Sequence, residues 1–185
     1  MEWMIPGTVL IGPREDVAGS IRQIEGMFLG GGMIRSQLAS VSGVEPHDIQ
    51  NWVKRGFLSS PVNKRYSINQ FCRIVIINML RSAMPMDRIC SLLTYVNGWL
   101  DDESDDLIDD KALYFAFLEG ASRFQGLAED RDALSRCICE SLDGYREPYP
   151  GAKVRVEQAL MVMILAWVSS LLRSKAEAIL KEMNP

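Results

Sequence analysis

Apolar residues along the chain recur mostly at helical spacing, and no clear period-two segment longer than a few residues interrupts them, so the pattern predicts an all-α fold. A first helix is expected from about Glu15 to Leu29, with Val17, Ile21, Ile24 and Phe28 on one face, stopped by Gly30-Gly31-Gly32. From Ser36 a short amphipathic segment offers Leu38, Ala39 and Val41 to a core, and Gly43 supplies a sharp turn. Glu45-Pro46 then opens a second short helix, because proline at the first helical position loses only an N–H that would lack a partner anyway. Ile49, Trp52 and Val53 share its buried face; His47, Gln50, Asn51 and Lys54 occupy the other, and Gly56 follows Arg55 as a C-terminal stop.

Ser59-Ser60-Pro61 breaks the chain, Asn63-Lys64-Arg65 forms a basic loop, and Ser67-x-x-Gln70 reads as a capping box. The helix it starts, Ile68 to Ala83, has almost no polar side and must be covered from more than one direction. Pro85 restarts the chain, and Met86, Ile89, Cys90, Leu93 and Val96 form a stripe ending at Asn97-Gly98. Beyond the acidic run Asp101 to Asp110, three helices are expected over Ala112 to Phe124, Asp130 to Leu142 and Ala152 to Lys181, separated by Gly126 and by the segment Tyr145 to Gly151. The organisation expected is an N-terminal helix and arm (1–32), a helix-turn-helix domain (33–100) and an all-helical C-terminal bundle (101–185).

The middle segment resembles the reader domain of MerR-type transcriptional regulators through Leu38-Ala39, Gly43-Val44, Trp52, Gly56-Phe57-Leu58, Pro61, Arg65-Tyr66-Ser67 and Met86 to Leu93. That resemblance implies a winged helix-turn-helix with a short basic wing loop. Two positions depart from it: His47 stands where such proteins often place arginine, and the loop after Pro61 is shorter than a full two-stranded wing. Ile49 to Gly56, Ile76 to Arg81 and Asp101 to Asp106 together resemble an uncharacterised bacterial family known only as a domain of unknown function, DUF1836, across most of the chain.

Charge sharpens this picture. The whole chain of 185 residues carries a formal net charge of -4, yet residues 35–88 hold eight Lys/Arg against three acids, a net of +5, while residues 101–132 come to -8. A local basic stripe can bind phosphates within an acidic protein. The DNA-binding candidates are therefore His47, Gln50, Asn51, Lys54, Arg55, Lys64 and Arg65. Gln50 and Asn51 suit adenine edges in a major groove, His47 a base or a phosphate, and the cations the phosphate backbone. The expected function is DNA-binding transcriptional regulation by a homodimer on double-stranded DNA. The alternative is a winged-helix module that has lost DNA and grips a protein.

The remaining motifs add little chemistry. Trp52, Phe57 and Tyr66 read as core residues rather than a stacking platform for single strands. The acidic run resembles an aspartate-rich magnesium motif only in composition; with no second such motif, it reads as a solvated linker with Asp105 or Ser104 capping the next helix. Cys72 and Cys90 look like core fillers, Cys137-x-Cys139 points its thiols to different sides of a helix, and no metal or cofactor is expected. With one histidine and no nucleophile–base pair, an enzyme is not expected. The fifteen uncharged residues Gln158 to Leu172 fall short of the ~20 that span a bilayer, which favours a helix buried on most sides, with a dimer seam as one way to bury it. The same helix offers the wall of an effector pocket lined by Met161, Met163, Trp167 and Phe117. No export signal is read at the N-terminus, so a cytoplasmic location is expected.

Overall fold

Nine of the thirteen residues in the apolar helix after the basic loop are buried, and the rest of the chain is arranged around it. The computed structural model describes residues 2–98, 100, 105–124 and 130–183. Among these are eight helices: α1 (Val17–Met27), α2 (Arg35–Ser42), α3 (Pro46–Lys54), α4 (Ile68–Leu80), α5 (Met86–Asn97), α6 (Asp110–Arg123), α7 (Arg131–Ser141) and α8 (Ala152–Met183). Two three-residue strands, β1 (Glu2–Met4) and β2 (Ile11–Pro13), pair antiparallel. The fold is thus mostly helical rather than all-α, the small sheet being the exception to the expected class.

Helix starts fall where local chemistry sets them. Pro46 occupies the first turn of α3, Pro85 precedes α5, and Asp130 Oδ1 accepts the Ala133 N–H at the start of α7. The start of α6 is a correction. Its cap is Asp109, whose Oδ1 accepts the Ala112 N–H at 2.7 Å, not Asp105 or Ser104. Asp101 to Ser104 lie outside the described residues, as does Gly126, the expected stop after α6.

The β1–β2 hairpin is the feature that periodicity missed. Its strands are too short to alternate, but its turn is wedged into the helical core, with Ile5 fully buried. Tyr114 of α6 donates its hydroxyl to the Pro6 carbonyl at 2.6 Å, and Asn78 of α4 donates to the carbonyls of Gly7 and Ser42 at 3.1 and 2.9 Å. Burial pushes the Tyr114 phenol well above its usual range, which keeps it a neutral donor. Gly7 is obligatory here: a Cβ would stand 2.3 Å from the Val75 carbonyl oxygen, and its φ is +78°.

Arg14, just after β2, closes the other end of α6. It donates to the carbonyls of Ala121, Ser122 and Phe124 at 2.7–3.0 Å, the groups that a helix end leaves without partners, and it lies over the Trp3 ring. Arg14→Ala is expected to cost about 2–3 kcal/mol, since it strips charged donors from part-buried carbonyls. Chemical denaturation checks this; an unchanged midpoint would mean that water replaces the guanidinium without loss.

One continuous buried cluster runs from Ile5 to Ala166. Within it Phe117 and Met163 are fully buried, and Trp167 meets both Phe117 and Trp3 edge-on at 6.0 Å. These side chains, expected as a possible effector-pocket lining, are packing partners in the core. α8 has two characters. Up to Ala166 it buries one face against the body, whereas every side chain from Leu171 to Met183 is exposed, including Leu172, Ile179 and Leu180. By length and composition α8 is apolar enough to cross a membrane, and 39% of its most apolar stretch is buried against the body.

Candidate functional site

Leu38 of α2 and Ile49 and Trp52 of α3 are buried together with Val44 and Leu58, so the two short helices are held by their apolar faces. Gly43 makes the turn between them with φ +68°, donating its N–H to the Ala39 carbonyl as a left-handed cap. The burial of one face of α3 leaves the other to solvent: His47, Gln50, Asn51 and Lys54, at positions i, i+3, i+4 and i+7, are all exposed. Arg55 follows, exposed, with its guanidinium 4.6 Å from the centre of the Phe57 ring.

An acid sits at the N-terminal end of this face. Asp48 pairs with Arg81 at 3.2 Å and stands 3.4 Å from His47 Nε2, while Arg81 lies over the Trp52 ring. Thus Arg81, counted in the basic segment, is partnered. So is Arg73, which is buried and holds Asp110 at 3.2 Å. The cations of the segment that face solvent are Arg35, Lys54, Arg55, Lys64, Arg65 and Arg88, apart from the partnered and half-exposed Arg81.

The chain leaving α3 is tied down at each step. Phe57 N–H donates to Trp52 O, and Arg73 Nε donates to Phe57 O at 3.0 Å. Ser67 and Gln70 form the expected reciprocal capping box, and Gln70 does more: its Nε2 donates to Ser59 O, Ser59 Oγ and Ser60 O at 2.9–3.1 Å. The basic loop is in fact a tight hairpin. Val62 bridges Arg65 across Asn63 and Lys64, and Tyr66 exchanges two backbone hydrogen bonds with Met33 ahead of α2, at 2.8 and 3.0 Å. Tyr66 is itself buried, and burial raises its phenol above the usual range. With Trp52 buried and Phe57 half-buried, none of the three aromatics offers an open stacking face.

Asn63 and Lys64 both have positive φ, +50° and +62°, as a two-residue mirror-image turn demands. Asparagine tolerates this; lysine at the second place is strained, where glycine is the ordinary choice. Lys64→Gly is accordingly expected to raise stability by about 0.5–1 kcal/mol by thermal denaturation, the relief of strain exceeding the added unfolded-state freedom. A fall in stability would show that the lysine side chain contributes packing here.

The structure therefore leaves all seven sequence-predicted site residues solvent-exposed, four of them on one face of α3 and two on the hairpin. Arg65 is not wholly free: its Nη1 donates to Gly32 O at 2.8 Å, which fixes the guanidinium beside the glycine turn. Among the described residues no three His, Cys, Asp or Glu side chains cluster as metal ligands. The four cysteines are free thiols, and burial raises each above its ordinary value, Cys72 most. Arg73, Asp110 and the Gln70 clamp went unseen in the sequence, since nothing local distinguishes a buried, paired arginine from an exposed one.

Residues 35–117, from the start of α2 to the middle of α6, match the family described as Domain of unknown function (DUF1836). This is a narrower span than the motif resemblance suggested, for it ends within α6 and leaves α7 and α8 outside. Over 81 residues the chain is 32% identical to the Uncharacterized protein YkrK of Bacillus subtilis (strain 168), a stretch covering 42% of this chain and 35% of that protein. The match thus spans about a third of that relative's length. No solved structure matches the chain.

Proposed function

We propose that this protein is a DNA-binding transcriptional regulator, built on a MerR-like winged helix-turn-helix in which α3 enters the major groove and the Val62–Arg65 hairpin lies along the phosphate backbone. The observation that carries the reading is the division of α3: its apolar face is locked by α2, and its polar face stands open beside exposed Lys54 and Arg55. Gln50 and Asn51 are the base readers, since a side-chain amide pairs bidentately with adenine. Lys54, Arg55, Lys64 and Arg65 neutralise phosphates, and His47 touches a base or the backbone. Rigidity of the hairpin supports this role, because its turn, the Gln70 clamp and the Met33 bridge fix where its charges stand.

One such reader offers few contacts, so the working species is a cytoplasmic homodimer that places two readers about one helical turn apart. Its seam is the exposed end of α8, where Leu171, Leu172, Ile179, Leu180 and Met183 are each at least half exposed. Helices with such apolar residues gain by covering them in a second copy. Leu172→Glu with Ile179→Glu is expected to convert the dimer to a folded monomer in sedimentation velocity, with unchanged helical circular dichroism. A wild-type chain already monomeric at high micromolar concentration contradicts the seam.

The decisive experiment for DNA is fluorescence anisotropy with a labelled random-sequence duplex at about 50 mM and about 200 mM salt. Binding that weakens steeply between the two supports the regulator. No binding at the lower salt overturns it and leaves the protein-gripping module.

A further inference from the structure

Between the hairpin, the glycine turn ahead of α2 and the junction of α5 with α6 lies a cavity of about 920 Å³. Phe28, Val62, Ile68 and Leu100 give it an apolar wall, and Val62 is left 74% exposed there. A volume of this order is that of sites for small organic ligands.

Its polar lining divides into acceptors already engaged and donors still open. Gln70 is fully used: Oε1 accepts the Ser67 N–H, and Nε2 donates to Ser59 O, Ser59 Oγ and Ser60 O. Arg73 and Asp110 hold each other at 3.2 Å, and Asp106 has an interaction of its own. Asn69 Oδ1 accepts the Lys111 N–H at 3.3 Å, which leaves the Asn69 Nδ2 as a donor. Ser67 Oγ accepts the Gln70 N–H at 3.2 Å and keeps its own O–H. Arg65 gives Nη1 to Gly32 O at 2.8 Å and has Nε and Nη2 to offer, with no acidic partner among the described residues. The open groups are therefore donors, and one of them carries an unpaired positive charge.

We propose that this cavity binds a small organic monocarboxylate with an apolar tail. Its carboxylate meets the Arg65 guanidinium, with the Ser67 and Asn69 donors beside it, while its tail lies against Phe28, Val62, Ile68 and Leu100. An ionised carboxylate only accepts hydrogen bonds, so it matches a lining whose open groups only donate. A cation or a neutral amide brings N–H groups that need acceptors, and those of the lining are engaged. A carboxylate without a tail gains nothing from the apolar wall. Arg65 is also a phosphate contact in the DNA reading, and on that reading a bound acid competes with the phosphate for one guanidinium. The competition rests on DNA binding; occupancy of the cavity does not, and it is measured without DNA.

The test is thermal denaturation of the full chain with sodium hexanoate, octanoate and phenylacetate, each compared with its primary amide and with sodium acetate at the same concentration. At least one of the three acids is expected to raise Tm by about 3–6 °C at ten times its Kd. The amides and acetate should show no such rise, and neither should the Arg65→Gln variant, which alters an exposed side chain and keeps the fold. Amide NMR should place the ligand through shifts of Gly31, Gly32 and the Asn69 side chain. The proposal is overturned if none of the three acids raises Tm, if the amides or acetate act as strongly, if Arg65→Gln responds like the wild type, or if the shifts fall elsewhere.

Discussion

Replacing Lys54, Lys64 and Arg65 together by alanine should lower the slope of log affinity against log salt by about 2–3 on any duplex, because each phosphate contact on B-DNA contributes ~0.9 to that slope. The three side chains are exposed and belong to two elements that are both anchored to the core, so their loss removes charge and one exposed hydrogen bond, from Arg65 to Gly32 O, but no buried packing. The variant therefore ought to keep its Tm to within about 2–4 °C while losing affinity nearly equally across sequences. Alanine at position 64 keeps a non-glycine residue at φ +62°, so the turn's strain is not relieved and does not confuse the comparison. Gln50→Ala and Asn51→Ala make the contrasting case. Each is expected to cost about 1–3 kcal/mol on the preferred operator and little on random DNA, with the slope unchanged. Anisotropy titrations over a salt series distinguish the two classes, and equal slopes for wild type and the triple variant would remove the cationic surface from the mechanism.

The largest stability effect is expected at Arg73. Its side chain is 8% exposed and Asp110 is 13% exposed, and the guanidinium both pairs with that carboxylate and donates to the Phe57 carbonyl. Arg73→Met takes the guanidinium away from a mostly buried carboxylate and orphans a backbone acceptor, a loss of about 3–5 kcal/mol. In a chain of this length that lowers Tm by about 6–20 °C. Arg73→Met combined with Asp110→Leu should recover much of the loss, since the cost lies in keeping one charge of the pair buried after the other is removed. Denaturant melts of the two single variants and the double variant close the cycle. If Arg73→Met alone loses under about 1 kcal/mol, the pair is solvated in practice and does not clamp α4 to α6.

The pair also shows why part of the candidate site could be read from sequence and part could not. Pro46, Gly43, Ser67 with Gln70, and Pro85 act on backbone groups within a few residues of themselves, and each marked its element boundary correctly. The exposed face of α3 followed from the 3.6-residue period of Ile49, Trp52 and Val53. By contrast, Asp109 rather than Asp105 caps α6, and Asp110 is no part of a solvated linker. Every aspartate in an acidic run has the same local credentials, so the choice among them rests on where α6 docks against α4. Asn63 and Lys64 likewise read as basic loop, because lysine is not a residue that announces a left-handed turn.

By itself the sequence determined which stretches coil into helices, where most of them begin, and which side of each is apolar, because those properties depend on hydrogen bonds and periodicity over one or two turns. Tertiary structure alone decided that a hairpin at the N-terminus plugs the core through Pro6 and Gly7, that Arg73 and Arg81 have acidic partners while Lys54 and Lys64 have none among the described residues, and that a polar cavity opens beneath the hairpin. These outcomes join residues 30 to more than 100 positions apart. Burial of a charge or of a carbonyl is set by what the rest of the chain brings against it, and no local pattern carries that information.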